Sequence, residues 1–135
     1  MLRMRMAALL VLALAACSNG RDQGDGGRER RLARASQGLC DAQTVAVEVS
    51  VFRAREVFDT EVHAFLHELA ADLQETDRAA AGELLEAKQR VEGILDEQRA
   101  EPQEVIVLIA GLQRALGQAA KAAGLPTPLC REGAS

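Results

Sequence analysis

Two histidines and an aspartate in this sequence stand at the spacing of a metal site. Asp59, His63 and His67 follow one another at intervals of four residues, and residues four apart lie on the same face of an α-helix. Two imidazoles placed in this way can chelate Zn²⁺ or Cu²⁺, and the aspartate can add an oxygen ligand. The pattern predicts a copper or zinc site at these three residues. The alternative is a pair of solvated or interface histidines, because His63 flanks the predicted apolar stripe and His67 points further outward.

Signatures of other catalytic centres are missing from the sequence. It contains no Glu-x-x-His pair for a di-iron site, no Cys-x-x-Cys-His haem motif, no His-Glu-x-x-His zinc motif and no Gly-x-Ser-x-Gly nucleophile turn. The many carboxylates are spread along predicted solvated helix faces, which is typical of surface charge. We therefore expect a protein that is not an enzyme and that has no cofactor other than the copper or zinc just considered.

The first sixteen residues have the composition of an export signal. Arg3 and Arg5 precede an apolar run of eleven residues from Met6 to Ala16. Such a run spans about 16 Å as a helix, roughly half of a ~30 Å hydrocarbon core, so it is too short for a stable membrane span. A positive start, a short apolar middle and small residues at the end predict a signal peptide, residues 1–16, that is removed.

The end of this segment resembles the lipobox of bacterial lipoproteins, which the chain matches at Leu14, Ala15, Ala16 and Cys17. The resemblance implies that a diacylglyceryl group is attached to the Cys17 sulfur and that the chain is cut before this residue. At least two acyl chains would then hold the protein on the outer side of a bacterial membrane. Ser18 is not the aspartate that the resemblance associates with retention at the inner membrane, so the cell membrane and the outer membrane both stay open. An ordinary secretory signal cut after Ala15 is the alternative.

Cys40 and Cys130 remain once Cys17 is lipidated. Two cysteines in an exported domain usually pair, so we expect a disulfide between them, with two free thiols as the alternative. The closed loop of about 90 residues would stabilise the fold by up to ~4.5 kcal/mol on the chain-entropy model. The wide separation excludes a Cys-x-x-Cys redox or metal motif.

Residues 17–36, which begin with the lipidated cysteine, are predicted to form a flexible tether. Residues 19–27 have four glycines and no hydrophobic side chain, so they cannot offset the entropy of ordering. Four arginines follow that either favour anionic lipid headgroups or only keep the linker soluble: Arg28, Arg30, Arg31 and Arg34. From residue 37 onward, nine Lys and Arg stand against seventeen Asp and Glu, a net charge of −8. Because phosphate contacts need a basic face, nucleic acid is not an expected partner.

Residues 37–135 are predicted to form one all-α domain. Apolar residues recur with a helical period in three segments, residues 60–75, 77–99 and 103–123. Thr76 or Asp77 can cap the second of these helices, and Pro102 suits the first turn of the third. Gly124 is typical of a residue that ends a helix.

The pattern of residues 37–57 is ambiguous. Valines at alternate positions from Val45 to Val51 indicate a β-strand, but no second strand is predicted to pair with it, and an unpaired edge is a liability. A helix over residues 37–57 instead gathers an apolar stripe of Leu39, Ala42, Val45, Ala46, Val49 and Phe52. It leaves Val47 and Val51 outside that stripe, either as a partner surface or as ordinary exposed valines.

A four-helix up-and-down antiparallel bundle fits these segments best, with a break near residues 58–60. In such a bundle the start of the first helix and the end of the fourth lie at the same end, which brings Cys40 close to Cys130. A three-helix bundle with a long kinked first helix is the alternative. The expected function is that of a lipid-anchored, non-enzymatic protein of the cell envelope that binds a protein or an envelope component. The alternative is an extracytoplasmic copper- or zinc-binding module that uses His63 and His67.

Overall fold

The computed structural model describes residues 22–131, which form five α-helices and contain no β-strand within that range. The helices are α1 (Asp22–Glu48), α2 (Val51–Glu61), α3 (His63–Leu73), α4 (Arg78–Asp96) and α5 (Pro102–Ala122). The predicted all-α helical bundle is confirmed. The predictions for the signal peptide, for Cys17 and for residues 17–21 of the tether lie outside the described residues.

The last three helices begin and end close to their predicted positions. Asp77 caps α4 by accepting a hydrogen bond from the backbone N–H of Ala80 at 3.0 Å. Pro102 occupies the first turn of α5, where its missing N–H leaves no helical bond unmade. The chain beyond α5 reverses at Gly124, the described residue with a positive φ.

The first helix is much longer than predicted. It is continuous from Asp22 to Glu48, so residues 22–36 are helical rather than part of a flexible tether, and no domain boundary falls at residue 37. The reason is a stripe of buried residues in alternating steps of three and four: Leu32, Ala35, Leu39, Ala42 and Ala46. That spacing keeps one face of a helix against its neighbours over several turns. Burial of this face offsets the low helix propensity of the glycines near its start.

The chain turns at Val49 and Ser50 instead of near residues 58–60, which lie inside α2. Ser50 has an extended backbone, and its hydroxyl accepts a hydrogen bond from the N–H of Arg53 at 3.2 Å, so it caps α2. The turn restarts the helical register. Phe52, which was predicted in the core, is consequently 67% exposed, and Val49 is exposed as well.

A single residue separates α2 from α3. The N–H of Val62 donates to the carbonyl of Phe58 at 3.0 Å, and the carbonyl of Val62 accepts from the N–H of Leu66 at 3.3 Å. Helical hydrogen bonding therefore continues through the junction. The side chain of Val62 is buried, so the junction belongs to the core.

Arginines of α1 form a ladder of ion pairs with α2 and α3: Arg28–Asp72, Arg31–Glu68 and Arg34–Glu61. Residue numbers rise along α1 as they fall along its partners, so these helices run antiparallel. Three of the four arginines that were predicted to face lipid or solvent thus face acidic side chains of the bundle itself. Each pair is exposed, which limits its contribution to stability to about 1 kcal/mol or less.

The core fills the space between all five helices. Its largest fully buried side chains include Phe58 of α2, Leu66 of α3, Leu84 of α4 and Ile109 of α5. Among the described helices, α5 alone is long and apolar enough to cross a membrane by length and composition. One face of α5 is buried in this core, which accounts for its apolar composition.

Candidate functional site

An open groove runs along the outer face of α1. Its floor is formed by residues 30–45 of α1, one wall by Val57 and Glu61 of α2, and the other wall by Leu129 and Arg131 of the C-terminal segment. The groove has a volume of about 1080 Å³. Small-molecule sites commonly measure ~300–1,000 Å³, so the groove has room for an organic ligand.

The C-terminal segment reaches the groove because the chain reverses after α5. Gly124 donates its N–H to the carbonyl of Lys121 at 3.1 Å, and Leu125 donates to Ala120 at 2.8 Å. These two bonds form a Schellman motif. The φ of 71° at Gly124 is one that glycine adopts without strain. The chain then returns along the bundle as far as Cys130.

Cys40 and Cys130 lie at disulfide distance, with their Cα atoms 6.0 Å apart, inside the usual range of ~4.4–6.8 Å. The side-chain amide of Gln113 lies 3.5 Å from each sulfur. The backbone N–H of Arg131 donates to the side-chain oxygen of Gln37 at 3.1 Å. The predicted partners meet, but not at the ends of two helices: Cys40 stands within α1, and the returning segment brings Cys130 to it. The cysteine pair therefore holds one wall of the groove against its floor.

The cationic side chains of the groove lie toward the start of α1. Arg34 contacts both carboxylate oxygens of Glu61, with its Nη2 3.2 Å from Oε1. This hydrogen bonding, aided by the arginine charge, holds the pKa of the Glu61 carboxyl below its ordinary value. Asp41 accepts a hydrogen bond from a glutamine amide of α1 at 2.9 Å. Among the side chains that the structure describes, none forms an ion pair with Arg30 or Arg131.

The other end of the groove combines valines with polar side chains. A second depression shares Val45, Val57 and Glu61 with the groove and continues it as far as Val49, where its other lining residues are Arg53, Glu56 and Thr60. Val49 is 65% exposed, whereas Val45 and Val57 are half-buried against the core. The groove thus has arginines nearer the start of α1 and valines nearer its end, with charged side chains of both signs along its length.

Three exposed apolar residues surround the turn between α1 and α2, and we call Val47, Val49 and Phe52 the apolar end of the bundle. Val47 and Val51 were predicted to lie outside the apolar stripe, as a partner surface or as ordinary exposed valines. Val47 is 60% exposed, but Val51 packs against the core because the turn at Ser50 rotates it inward. Its place at the surface is taken by Phe52.

The predicted metal ligands are brought together only in part. The rings of His63 and His67 lie on α3 with their centroids 4.8 Å apart. Asp59 lies on α2, and its carboxylate faces the Nε of Arg55 at 3.6 Å. In the part of the chain that the structure describes, no group of three or more His, Cys, Asp or Glu side chains is arranged to hold a metal ion. The three-ligand site is not formed, and a pair of histidines remains.

Glu92 joins His63 to a buried lysine. Its Oε1 accepts a hydrogen bond from His63 Nδ1 at 2.7 Å and another from Lys88 Nζ at 2.6 Å. The Lys88 side chain is 4% exposed, so the Glu92 carboxylate is its counter-charge. Partial burial raises the pKa of the Glu92 carboxyl. The hydrogen bonds and charges of Lys88 and His63 outweigh this effect and hold the pKa below its ordinary value.

Comparison with known proteins identifies no relative. No family model, curated protein or solved structure matches the chain.

Proposed function

We propose that this chain is a lipid-anchored, non-enzymatic binding protein on the outer side of a bacterial membrane, in the cell membrane or the outer membrane. The lipobox resemblance at Leu14–Cys17 supports the anchor. The proximity of Cys40 and Cys130 supports export, because disulfides persist mainly in oxidising compartments. The ligand is a protein or a component of the envelope, and it binds in the groove along α1.

The observation that carries this proposal is the groove itself. It is long and open, and its lining combines three arginines, two carboxylates, a glutamine and a threonine with apolar side chains such as Val45, Val57 and Leu129. Such side chains recognise charge and apolar surface, and none of them is a nucleophile paired with a general base of the kind that catalysis needs. Binding without chemical change is the role that these residues support best.

The length of α1 sets the position of the binding surface relative to the anchor. Residues 18–21 separate Cys17 from the first residue of α1. From Arg28 to Val47 the helix extends about 29 Å, at 1.5 Å per residue. The apolar end of the bundle is therefore directed away from the anchored end and toward the envelope space, where a partner can reach it.

We also propose that α2 and α3 together act as one kinked helix. Counted in this way, the bundle has four helices with an up-and-down topology. The hydrogen bonds that pass through Val62 support this interpretation. The antiparallel pairs between α1 and the α2–α3 segment support it as well.

The anchor is tested by labelling cells with a palmitate analogue. The parent chain should carry the label and fractionate with membranes, whereas Cys17→Ser should lose the label and be recovered in the soluble fraction. Cys130→Ser serves as a cysteine control and should keep the label. Identical fractionation of Cys17→Ser and the parent would overturn the anchor.

Binding in the groove is tested in intact cells by placing a photo-crosslinking residue at Val49. A matched control carries the same residue at Glu75, an exposed position in the loop between α3 and α4. A discrete adduct that forms at Val49 and not at Glu75 supports the proposal, and its mass shows whether the partner is a protein or a smaller component. The same adducts at both positions, or none at Val49, would overturn it.

A second candidate function is the binding of copper or zinc through His63 and His67. It is favoured by the contact between His63 Nδ1 and Glu92, because a carboxylate that holds one ring nitrogen orients the other nitrogen for a metal. Calorimetric titration of the protein with Cu²⁺ and Zn²⁺ tests it. Sub-micromolar binding that is lost in His63→Ala supports this function, and the absence of heat eliminates it.

A further inference from the structure

The C-terminal segment, residues 126–131, makes few contacts with the bundle. Leu125, just before the segment, packs against the core, whereas Leu129 within it is 76% exposed. Among the described residues, two hydrogen bonds join the segment to the helices. The backbone N–H of Arg131 donates one to Gln37, and a glutamine amide donates the other to the sulfur of the segment's cysteine. The cysteine pair is therefore the main attachment of the segment.

Conformational entropy decides whether the segment stays in place without a bond between the cysteines. Ordering the backbone of a single residue costs about as much free energy as one hydrogen bond contributes, and the segment has six residues. Two hydrogen bonds cannot offset this cost. A covalent bond between Cys40 and Cys130 offsets it by restricting the free chain. Breaking that bond therefore releases the segment.

The bundle itself does not depend on the cysteine pair. The buried apolar residues that the structure describes all lie between Leu32 and Ala120, and neither cysteine is among them. The groove does depend on the pair, because Leu129 and Arg131 line it from the C-terminal segment. Breaking the bond removes one wall of the groove and leaves the five helices packed.

The two sulfurs differ in how easily a thiolate can reach them. Cys130 is exposed and lies in an irregular segment, whereas Cys40 is half-buried within α1. Access is one of the factors that decide which sulfur is attacked in thiol–disulfide exchange, and exposed disulfides are the more easily reduced ones. After attack at Cys130, the Cys40 sulfur departs as a thiolate. The amide nitrogen of Gln113 lies 3.5 Å from this sulfur and can donate a hydrogen bond to the thiolate.

We propose that Cys40 and Cys130 form a redox-controlled latch on the groove. In the oxidised state the latch holds residues 126–131 against α1 as a wall, and reduction by a protein dithiol releases them while the bundle stays folded. The release of the segment follows from the contacts just described. The effect of this release on a ligand in the groove rests on the function proposed above.

The exchange proceeds in two steps. A thiolate of the reductant attacks the Cys130 sulfur, which breaks the bond to Cys40 and forms a mixed disulfide, and the Cys40 thiolate takes a proton from water. The second thiolate of the reductant then attacks the mixed disulfide, forms the reductant's own disulfide and releases the Cys130 thiolate, which is protonated in turn. Two electrons pass from the dithiol to the pair. The two protons that the dithiol loses to water balance the two that the cysteines take up.

The test uses the exported chain from residue 17 with Cys17→Ser, which leaves Cys40 and Cys130 as its cysteines. Every described helix and the whole described core lie between residues 22 and 122, so this chain retains them. Nuclear magnetic resonance relaxation gives the order parameters of the backbone amides before and after reduction with dithiothreitol, a soluble dithiol, without denaturant. Those of Thr127 and Leu129 should fall from about 0.85 to below 0.6, whereas those of the helices should not change.

Two variants assign the release to the cysteine pair. Cys130→Ser should have a mobile segment under oxidising conditions, and dithiothreitol should not change it further. Gln37→Ala is the matched control, because it removes the hydrogen bond of Arg131 and leaves the cysteines in place. Its oxidised segment should stay ordered. A segment released by Gln37→Ala would contradict the latch.

The site of attack is tested with a dithiol protein whose second cysteine has been replaced, so that the mixed disulfide is trapped. Peptide mass spectrometry should find this protein attached to Cys130. Attachment to Cys40 would contradict the proposed order of the exchange.

The effect on binding is tested in intact cells with the photo-crosslinking residue at Val49, in the parent and in Cys130→Ser. Loss of the adduct in Cys130→Ser supports control of the groove by the latch, and equal adducts in both would refute that control. If neither forms an adduct, the proposed binding function fails, and the order parameters still decide whether the latch exists. Unchanged order parameters after reduction, loss of the helices, or a pair that is reduced only in denaturant would each overturn the latch.

Discussion

At the scale of single residues, Lys88 is the charged side chain that the described core buries. Its ammonium lies within the apolar face of α4, and Glu92 supplies the compensating charge at 2.6 Å. Removing one partner of a buried pair leaves the other charge uncompensated, whereas replacing a buried charge by an apolar side chain of similar size often costs little.

We expect Glu92→Ala to lower the free energy of unfolding by about 2–4 kcal/mol, because it leaves Lys88 without a counter-charge. Lys88→Met, which keeps the volume of the stem, should cost no more than about 1 kcal/mol. Urea unfolding measures both. Equal losses in the two variants would contradict this account of the pair.

The same carboxylate makes the stability of the fold depend on pH. Because the folded-state pKa of Glu92 is lowered, its contribution is fully present above the unfolded glutamate pKa of about 4.3. The contribution is lost as the pH falls through the lower folded value. Unfolding measured from pH 7 to pH 2 should show a steeper acid loss for the parent than for Glu92→Gln. Superimposable profiles would rule this contribution out.

At Gly38, α1 packs tightly against the α2–α3 junction. A Cβ at this position would lie 2.8 Å from Glu61 Cβ and 2.9 Å from Val62 Cγ2. Gly38→Ala should therefore destabilise the fold by about 1–2 kcal/mol, although alanine favours a helix. At Gly82 a Cβ meets nothing within 4 Å, so Gly82→Ala should stabilise by up to about 1 kcal/mol. Thermal unfolding of the two variants should shift in opposite directions.

At the scale of elements, α1 includes residues 22–36, which were predicted to be a flexible tether. Their contribution to stability distinguishes a structural segment from a tether. Leu32 is 1% exposed, so Leu32→Ala should cost about 2–4 kcal/mol of unfolding free energy. Leu129→Ala, at a 76% exposed position, should change stability by no more than about 0.5 kcal/mol. Chemical denaturation compares the two variants. An unchanged free energy of unfolding in Leu32→Ala would indicate that residues 22–36 are a flexible tether after all.

The sequence predicts the helices whose stripes contain large apolar side chains. α3, α4 and α5 follow Leu, Ile and Val at helical spacing, and Asp77 and Pro102 act as the expected start signals. The first half of α1, residues 22–36, was missed because Leu32 is its one large buried apolar residue and because glycines precede it. The break between α1 and α2 was also missed, because the valines around residue 49 continue the apolar pattern through Ser50, the residue that caps α2.

The candidate site was predictable where one element carries it and not where several meet. His63 and His67 share α3, so spacing alone paired them, but Glu92 comes from another helix and was missed. The groove was missed because its floor, its α2 wall and its C-terminal wall are remote in sequence. Arg30 and Arg34 also stood in the predicted tether, where no groove was expected.

At the scale of the whole molecule, the cysteine pair holds the C-terminal segment on the bundle. The Cys40→Ser and Cys130→Ser double variant should lose about 2–4 kcal/mol of unfolding free energy, because its unfolded chain is less restricted. Mass spectrometry of the exported parent should find it two hydrogens lighter than its reduced form. An unchanged mass after reduction would show two free thiols.

The position of Cys40 within α1 divides the chain under mechanical load. A bond from Cys40 to Cys130 makes a covalent ring of everything between them, and residues 22–39 are left outside it. If the chain is pulled from a lipid at its N-terminus, only this arm can peel from the bundle before the ring bears the force. The arm would lengthen to about 60 Å at ~3.3–3.6 Å per residue, while α2 to α5 stay folded within the ring.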